Sequence, residues 1–328
     1  MGNTGIIKHS FNADILSKLK RLMATSSFLW SDEQLIDYIA EYLTNEEEEQ
    51  LFVEDNDEFV GCNLFMSTKA SINNKMEIVR WSHSTYLMEE YRKKYGLDLI
   101  LRTYEKKNIF GFGLTDINNQ IHNYLGSVFL NPSIAYVMTV DFSKIKHLPN
   151  IHNNTFEISG NIFKKINCAG EITYPHNGIW NGQKFDVDFV RDEDFIQRRF
   201  FKSPYNYSIY AISTPFAYDR LYFVTRTRKV KGEICLFLVD YRFSIDDGEA
   251  FYLILSALEV IAITHNIHTC YIFSTLKHFL CSSCWNIKEY GGKCQIVTNV
   301  KSLSQTNVFV TPADSDCELI PFENNEDS

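Results

Sequence analysis

The chain has 328 residues, 45% hydrophobic and 14% aromatic, with a net charge of −9. This is longer than one compact domain of usual size, with enough apolar content for two cores, and the acidic balance argues against a general nucleic-acid binder, whose affinity rests on phosphate contacts. No apolar run approaches the ~20 residues that span a bilayer, residues Met1 to Lys8 lack a signal-peptide hydrophobic region, and the eight cysteines are scattered through apolar stretches, so a cytoplasmic protein with reduced thiols is expected.

In chain order, Ile6 to Phe11 reads as a strand and Asn12 to Met23 as a helix capped by Asn12. Ser31, three residues before Gln34, opens a second helix with Leu35, Ile36, Ile39, Ala40 and Leu43 on its apolar face. Glu46 to Glu49 is a solvated acidic run, and Gln50 to Glu54 pairs with Phe59 to Met66 as a hairpin. A strand follows at Met76 to Trp81, then a basic turn, Tyr91-Arg92-Lys93-Lys94-Tyr95-Gly96, and a helix from Leu97 to Lys106 with Leu97, Ile100, Leu101 and Tyr104 at helical spacing. Ile109 to Asp116 is a short strand, Ile117 to Leu125 a helix stopped by Gly126, and Ala135 to Phe142 a closing strand.

Residues 148–184 are polar and without durable period, which makes them an inter-domain segment with room for a small hairpin. From Phe185 onward a helix ends before Pro204, and strands at Tyr207 to Ile212, Arg220 to Arg226 and Glu233 to Tyr241 lead to an apolar helix, Glu249 to Thr264. Strands at Thr269 to Ser274 and Gln295 to Asn299, around a short helix to Cys284, and a last strand at Val308 to Thr311 complete the order. The second unit repeats the first in topology, without a residue-level period. The expected fold class is α/β with mixed sheets: two tandem domains, 1–147 and 185–328, each a central, mostly antiparallel sheet flanked by helices.

A basic turn that presents free backbone N–H groups at a helix N-terminus suits a pyrophosphate. The sequence of strand, basic glycine turn, helix, strand, short helix and Leu125-Gly126 resembles the GNAT superfamily of acyl-CoA-dependent N-acyltransferases. More narrowly, the chain is similar to the two-domain GNAT-like proteins of bacterial surface-polysaccharide gene clusters. Gly113-Leu114-Thr115-Asp116 stands before the short helix, Arg199-Phe200 to Pro204 resembles their Trp-Arg-Tyr…Pro segment with Arg198 in place of the Trp, and Thr311 to Asp316 resembles their Thr…Asp-Ser-Asp close.

The resemblance implies acyl-CoA, acetyl-CoA in the simplest case, as co-substrate. Main-chain groups of Tyr86, Leu87 and Met88 would face the pantetheine, and Lys93, Lys94, Tyr95, Gly96, Leu97 and Asp98 would form the pyrophosphate turn; Asp98 departs from the family's small residue there and sets a carboxylate near the phosphates. Glu77 and His83 are the candidate bases and His122 the candidate acid for the leaving thiolate, with Tyr124 its rival. Arg199, Asp314 and Asp316 would shape the site of the amine acceptor, by resemblance a nucleotide-linked aminosugar. The second unit has an acid-rich stretch, Asp240 to Gly248, where a basic turn would be, so it is not expected to hold acyl-CoA. Cys281 and Cys284, with Cys294 and His278, have zinc-like spacing but no second close pair, and no metal is assigned. A non-catalytic GNAT-like binding module and a Fem-type aminoacyl transferase using aminoacyl-tRNA are the competing readings.

Overall fold

A computed structural model describes residues 5–25, 48–112, 116–145, 151, 154–172, 185–203, 205–212, 221–230, 232–242, 248–275, 285–303 and 308–314. The helix expected from Ser31, the Gly113 to Thr115 segment, His278, Cys281, Cys284 and Asp316 lie outside these residues.

The first half runs β1 (Gly5–His9), α1 (Ala13–Thr25), β2 (Gln50–Asp55), β3 (Glu58–Ile72), β4 (Lys75–Leu87), α2 (Glu89–Tyr104), β5 (Ile109–Phe112), α3 (Asp116–Tyr124) and β6 (Val128–Val140). Asn12 caps α1 as its Oδ1 accepts from the Ile15 N–H at 2.9 Å. Asn56 and Asp57, then Asn73 and Asn74, all take positive φ, the tight two-residue turn that matches the twist of the flanking strands. The second of these turns lets β4 start at Lys75, and pairing with β3 carries it on to Leu87, beyond the Trp81 end expected from the apolar run.

The rest comprises β7 (Thr155–Ile158), β8 (Asn161–Lys165), β9 (Val187–Phe189), α4 (Glu193–Ile196) continued by a π turn (Gln197–Phe201), β10 (Tyr207–Ile212), β11 (Tyr222–Val230), β12 (Glu233–Arg242), α5 (Gly248–Thr264), β13 (Thr269–Ser274), β14 (Trp285–Thr298) and β15 (Val308–Phe309). Two parallel pairs, β4 with β5 and β12 with β13, are each joined through a helix, α2 or α5, as a parallel connection requires. All other pairings along the main sheet are antiparallel.

The strand order is β1-β2-β3-β4-β5-β14-β6-β13-β12-β11-β10-β8-β7, one continuous sheet. Its centre is an exchange. β14, from late in the chain, lies between β5 and β6, while β6, from the first half, lies between β14 and β13. The stretch expected to link two units holds the β7–β8 hairpin, which joins the sheet beside β10. β9 crosses back to pair β3 and is itself paired by β15, a second stitch between the halves.

Core residues follow the sheet faces. Under α1, Ile15, Leu19 and Leu22 pack with Trp81, Phe110 and Phe189; on the opposite face, Tyr95 and Leu99 of α2 pack with Leu51, Val60, Phe65 and Leu87. α5 covers the second half through Ile254, Leu258 and Ile261. Among the described residues no helix is long and apolar enough to cross a membrane.

Candidate functional site: the opening between β4 and β5

β4 and β5 pair at Arg80–Ile109, Trp81–Phe110 and Ser82–Gly111, and there the ladder stops. β4 continues to Leu87 along β3, so beyond Ser82 its β5-facing edge has no ladder partner among the described residues. A bulge marks the departure. Leu64 faces His83 and Cys62 faces Tyr86, so Asn63 alone stands opposite two residues, Ser84 and Thr85. The extra residue reverses the alternation of side chains: Trp81 packs on the α1 face, whereas Leu87 packs on the α2 face with Tyr95 and Leu99.

One side chain ties the bulge together. Asn63, 2% exposed, accepts through Oδ1 from Ser82 Oγ at 2.9 Å and Thr85 Oγ1 at 3.0 Å. Its Nδ2 donates at 2.6 Å to Thr103 Oγ1 on α2, which donates in turn to the Leu99 carbonyl at 2.9 Å. Gly61 completes the strand end, since a Cβ there would meet Leu87 Cδ1 at 2.4 Å and the Tyr86 carbonyl oxygen at 2.9 Å. Neither Asn63 nor Gly61 carries a motif; an Asn in an apolar run, two residues after a Gly, is the only sequence sign of a bulged partner strand.

The predicted glycine turn requires correction. Tyr91 to Gly96 are not a turn but the first half of α2, a continuous helix from Glu89 to Tyr104. Glu90, Arg92, Lys93 and Lys94 are good helix formers, a single glycine costs a helix only ~1 kcal/mol, and Tyr95, Leu99 and Thr103 bury at a four-residue spacing on one face. The helix therefore begins at Met88 and Glu89, with Glu89 and Glu90 in its first turn. Lys93 and Lys94 are exposed on its second turn, Tyr95 is buried, Leu97 is 51% exposed, and the amides of Gly96, Leu97 and Asp98 belong to the helix interior. Asp98 pairs with Arg102 at 3.9 Å, about 13 Å along the helix from its start. Tyr86 and Leu87 lie on β4 beyond its last rung with β5, and Met88 stands at the start of α2; the Met88 N–H is taken by the Val60 carbonyl at 3.0 Å, and the Leu87 carbonyl accepts from Arg92 Nε at 3.0 Å.

The structure does not bring the three candidate catalytic residues together. His83 is the first β4 residue past the last rung and is buried; burial pushes its imidazole down to about 3. Glu77 is exposed, near Asn108, and lies about 17 Å along the strand before Ser82, at the closed end of the pair. His122, on α3, shares a hydrogen bond with Tyr104 OH at the far end of α2 and lies 3.5 Å from Ser127 Oγ. Burial pushes its imidazole down to about 4, so it is uncharged at neutral pH; Tyr124, its rival, is 87% exposed.

The two described acceptor candidates are interior. Arg199 donates from Nε to the Ala313 carbonyl at 3.2 Å and from Nη1 to Tyr207 OH at 2.9 Å, and is 2% exposed. Asp314 is fully buried, 2.5 Å from Arg191 Nη2, and accepts from the Thr311 N–H at 2.8 Å. Both residues are buried and bonded to interior groups, so each acts as a structural tie and neither presents its side chain to a groove. Arg191 also pairs with Asp240 at 2.9 Å, and Asp240 accepts from Tyr222 OH at 3.0 Å and Thr311 Oγ1 at 2.7 Å, with Arg242 at 3.4 Å. Burial pushes the Asp240 carboxyl up, but Arg191 and Arg242 outweigh it and hold the group below its ordinary range; for Asp314 burial prevails and the carboxyl is raised.

No family model matches the chain, and no curated protein matches it. Solved structures do. The chain is similar to Saccharomyces cerevisiae N-myristoyltransferase with bound myristoyl-CoA, at a TM-score of 0.55 and 12% identity over 89% of this chain and 82% of that one. It is also similar to a GCN5-related N-acetyltransferase from Anabaena variabilis, at 0.53 and 9% over 89% and 72%. A probable N-acyltransferase from Enterococcus faecalis matches at 0.54 and 10% over 90% and 72%. At such low identity these likenesses speak for the fold alone: a mixed α/β architecture consistent with tandem GNAT-like domains.

Proposed function

We propose that the chain is an N-acyltransferase moving an acyl group from acyl-CoA to the amine of a small acceptor. The observation that carries this reading is the released edge of β4 beyond Ser82, set at a bulge and leading straight into α2. Pantetheine is an extended chain with two amides, and such a chain extends an open strand edge as an added strand would. The edge ends where α2 starts, so a pyrophosphate at its end would meet the N–H groups of Glu89 and Glu90 in the first turn, that of Tyr91 being taken by the Met88 carbonyl at 3.0 Å, and the exposed Lys93 and Lys94 would supply charge from the second. The exposed Glu89 and Glu90 are set to oppose that charge.

In the transfer, the acceptor nitrogen bonds the thioester carbon, the carbon–sulfur bond breaks, the amine loses a proton and the thiolate gains one. His83 stands nearest the opening, and its neutral, buried imidazole supplies shape rather than a proton. The donor is acetyl-CoA in its simplest form and the acceptor the amine of a nucleotide-linked aminosugar. The donor extends the GNAT resemblance of the first domain and the acceptor the resemblance of the 199–204 and 311–316 segments, with residues 1–147 holding the donor and 185–328 walling the acceptor side.

A second reading has a specific observation behind it. Glu77 is remote from the opening and His122 is engaged by Tyr104, an arrangement that favours a module binding acyl-CoA without transfer. Calorimetric titration with acetyl-CoA and free CoA, followed by thiol release with a panel of amines, separates the two. Micromolar binding with amine-dependent thiol release supports the enzyme, and binding without release supports the module. No binding at millimolar ligand overturns both and turns the search to aminoacyl-tRNA. Lys93→Ala should weaken CoA binding about threefold to tenfold, the size of one partly exposed charge on a phosphate, without lowering thermal stability.

A further inference from the structure

We infer that Asn63 is a positioning residue for the β4/β5 opening: one amide sets the bulge of β4 against α2, and thereby the register in which a bound donor meets strand and helix together. This rests on the acyl-CoA reading. Its two Oδ1 acceptances come from hydroxyls on either side of the bulge, Ser82 before it and Thr85 within it. Its donation goes to Thr103, one helical turn from Leu99, whose side chain packs against Leu87 on the strand just past the bulge. The amide thus closes a loop from β3 to β4 to α2 and back.

Such a fastening is needed because a bulge is one residue from a slip. Moving the extra residue along β4 past Leu87 would carry Leu87 across the sheet, out of the packing with Val60, Tyr95 and Leu99, and Tyr86 out of the α1-side core. It would also press the strand end on Gly61, which already has no room for a Cβ. A donor spanning strand edge and helix start reads both elements at once, so an error in their relative placement costs affinity even when the fold survives. The apolar partners hold the strand on the sheet without specifying which residue is the extra one; the directional bonds of Asn63 do.

The test compares wild type, Asn63→Leu and Asn63→Asp, reading CoA affinity by calorimetry, stability by urea melts, and amide exchange in Ser82 to Met88 and in Leu99 to Tyr104. Folded Asn63→Leu should lose about tenfold in affinity, equivalent to ~1.4 kcal/mol, and exchange faster in both segments. Asn63→Asp keeps the two acceptances from β4 but loses the donation to Thr103 and buries a carboxylate, so it should stay below wild type in affinity and loosen Leu99 to Tyr104 more than Ser82 to Met88. Affinity within about twofold of wild type in folded Asn63→Leu, or faster exchange confined to one segment, overturns the inference. If Asn63→Leu does not fold, Thr85→Val and Thr103→Val each remove one arm. Weaker CoA binding in each, with cooperative melting retained, supports the assignment, and unchanged affinity in both overturns it. If wild type itself does not bind CoA, the acyl-CoA reading fails separately, and exchange alone decides: coupled loosening of both segments upholds the fastening, and unchanged exchange removes it.

Discussion

The two parallel pairs of the main strand order, each joined through a helix, make a natural comparison. β4 with β5 and β12 with β13 each stop at a third rung. Each longer strand then carries one extra residue just beyond, since Asn63 faces two residues of β4, and Val239 of β12 has no counterpart between Val224 and Thr225. What lies past the bulge differs. In the first pair it is fastened by an uncharged amide and two hydroxyls; in the second, Asp240 and Arg242 run into a buried cluster with Arg191, Thr311 and Asp314. Strand separation therefore belongs to the fold, whereas a ligand site depends on what the chain puts into the gap. Charges taken out of water need partners, and those of this cluster are turned toward one another rather than toward a ligand.

The comparison breaks most severely at Asp240. Asp240→Ala leaves Arg191 and Arg242 buried without their shared carboxylate, an expected loss of about 3–5 kcal/mol in a urea melt, enough to remove folded protein at moderate temperature. Asp240→Leu combined with Arg191→Met should recover part of it, because one charge leaves with its partner while Arg242 keeps Asp188 at 4.0 Å and Asp314, already raised by burial, can take a proton. Recovery by the double variant with unchanged CoA affinity would mark the cluster as a plug; loss of CoA binding in a folded double variant would show that the halves share the site.

Gly61→Ala strikes the first pair alone. The new Cβ has backbone on one side, the Tyr86 carbonyl oxygen at 2.9 Å, so the strand end must shift. The expected cost is about 1–3 kcal/mol of stability together with loss of CoA affinity. A variant as stable as wild type would show that the strand end has room to move.

The pairs also part company in acid. His83 and His122, held at about 3 and about 4 by burial, stay neutral in the folded chain while the unfolded chain binds protons below ~6.5. Their depressed folded values mean that stability is complete above ~6.5 and falls as pH drops toward 4. Asp240, depressed below its ordinary range, keeps its contribution until more acid pH, and Asp314, raised, works in the opposite sense as pH falls. His122→Gln should flatten the slope of urea-midpoint stability between pH 6.5 and 4, and an unchanged slope would leave His83 as its source.

How much of this was readable beforehand follows from range. The hairpins, the Asn12 cap, α3 with its Gly126 stop and the apolar α5 depend on neighbours a few residues apart, and the order of elements carried the GNAT resemblance. The exchange of β6 and β14 pairs residues about 150 positions apart, as Met138 with Ile287, and no local pattern encodes it. The Asn63 fastening is likewise hidden, because one Asn in an apolar run acquires meaning only from Thr85 and Thr103. Arg199 and Asp314 misled for a related reason: a charged residue in sequence looks exposed, and only tertiary pairing reveals it as interior.

The misreading of α2 yields the gentlest test. The sequence places Gly96 at the pivot of a phosphate turn, yet it is an interior helix residue, its φ is not positive, and a Cβ there would meet nothing within 4 Å. A glycine so placed costs the helix flexibility without serving its backbone, so Gly96→Ala should stabilise the protein by ~0.5–1 kcal/mol, a rise of a few degrees at most in a chain this long. CoA affinity should be unchanged if the donor meets the start of α2 at Glu89. A loss of affinity alongside the stability gain would mean that the ligand approaches the helix backbone at Gly96 after all, and would return the phosphates to the second turn, beside Lys93.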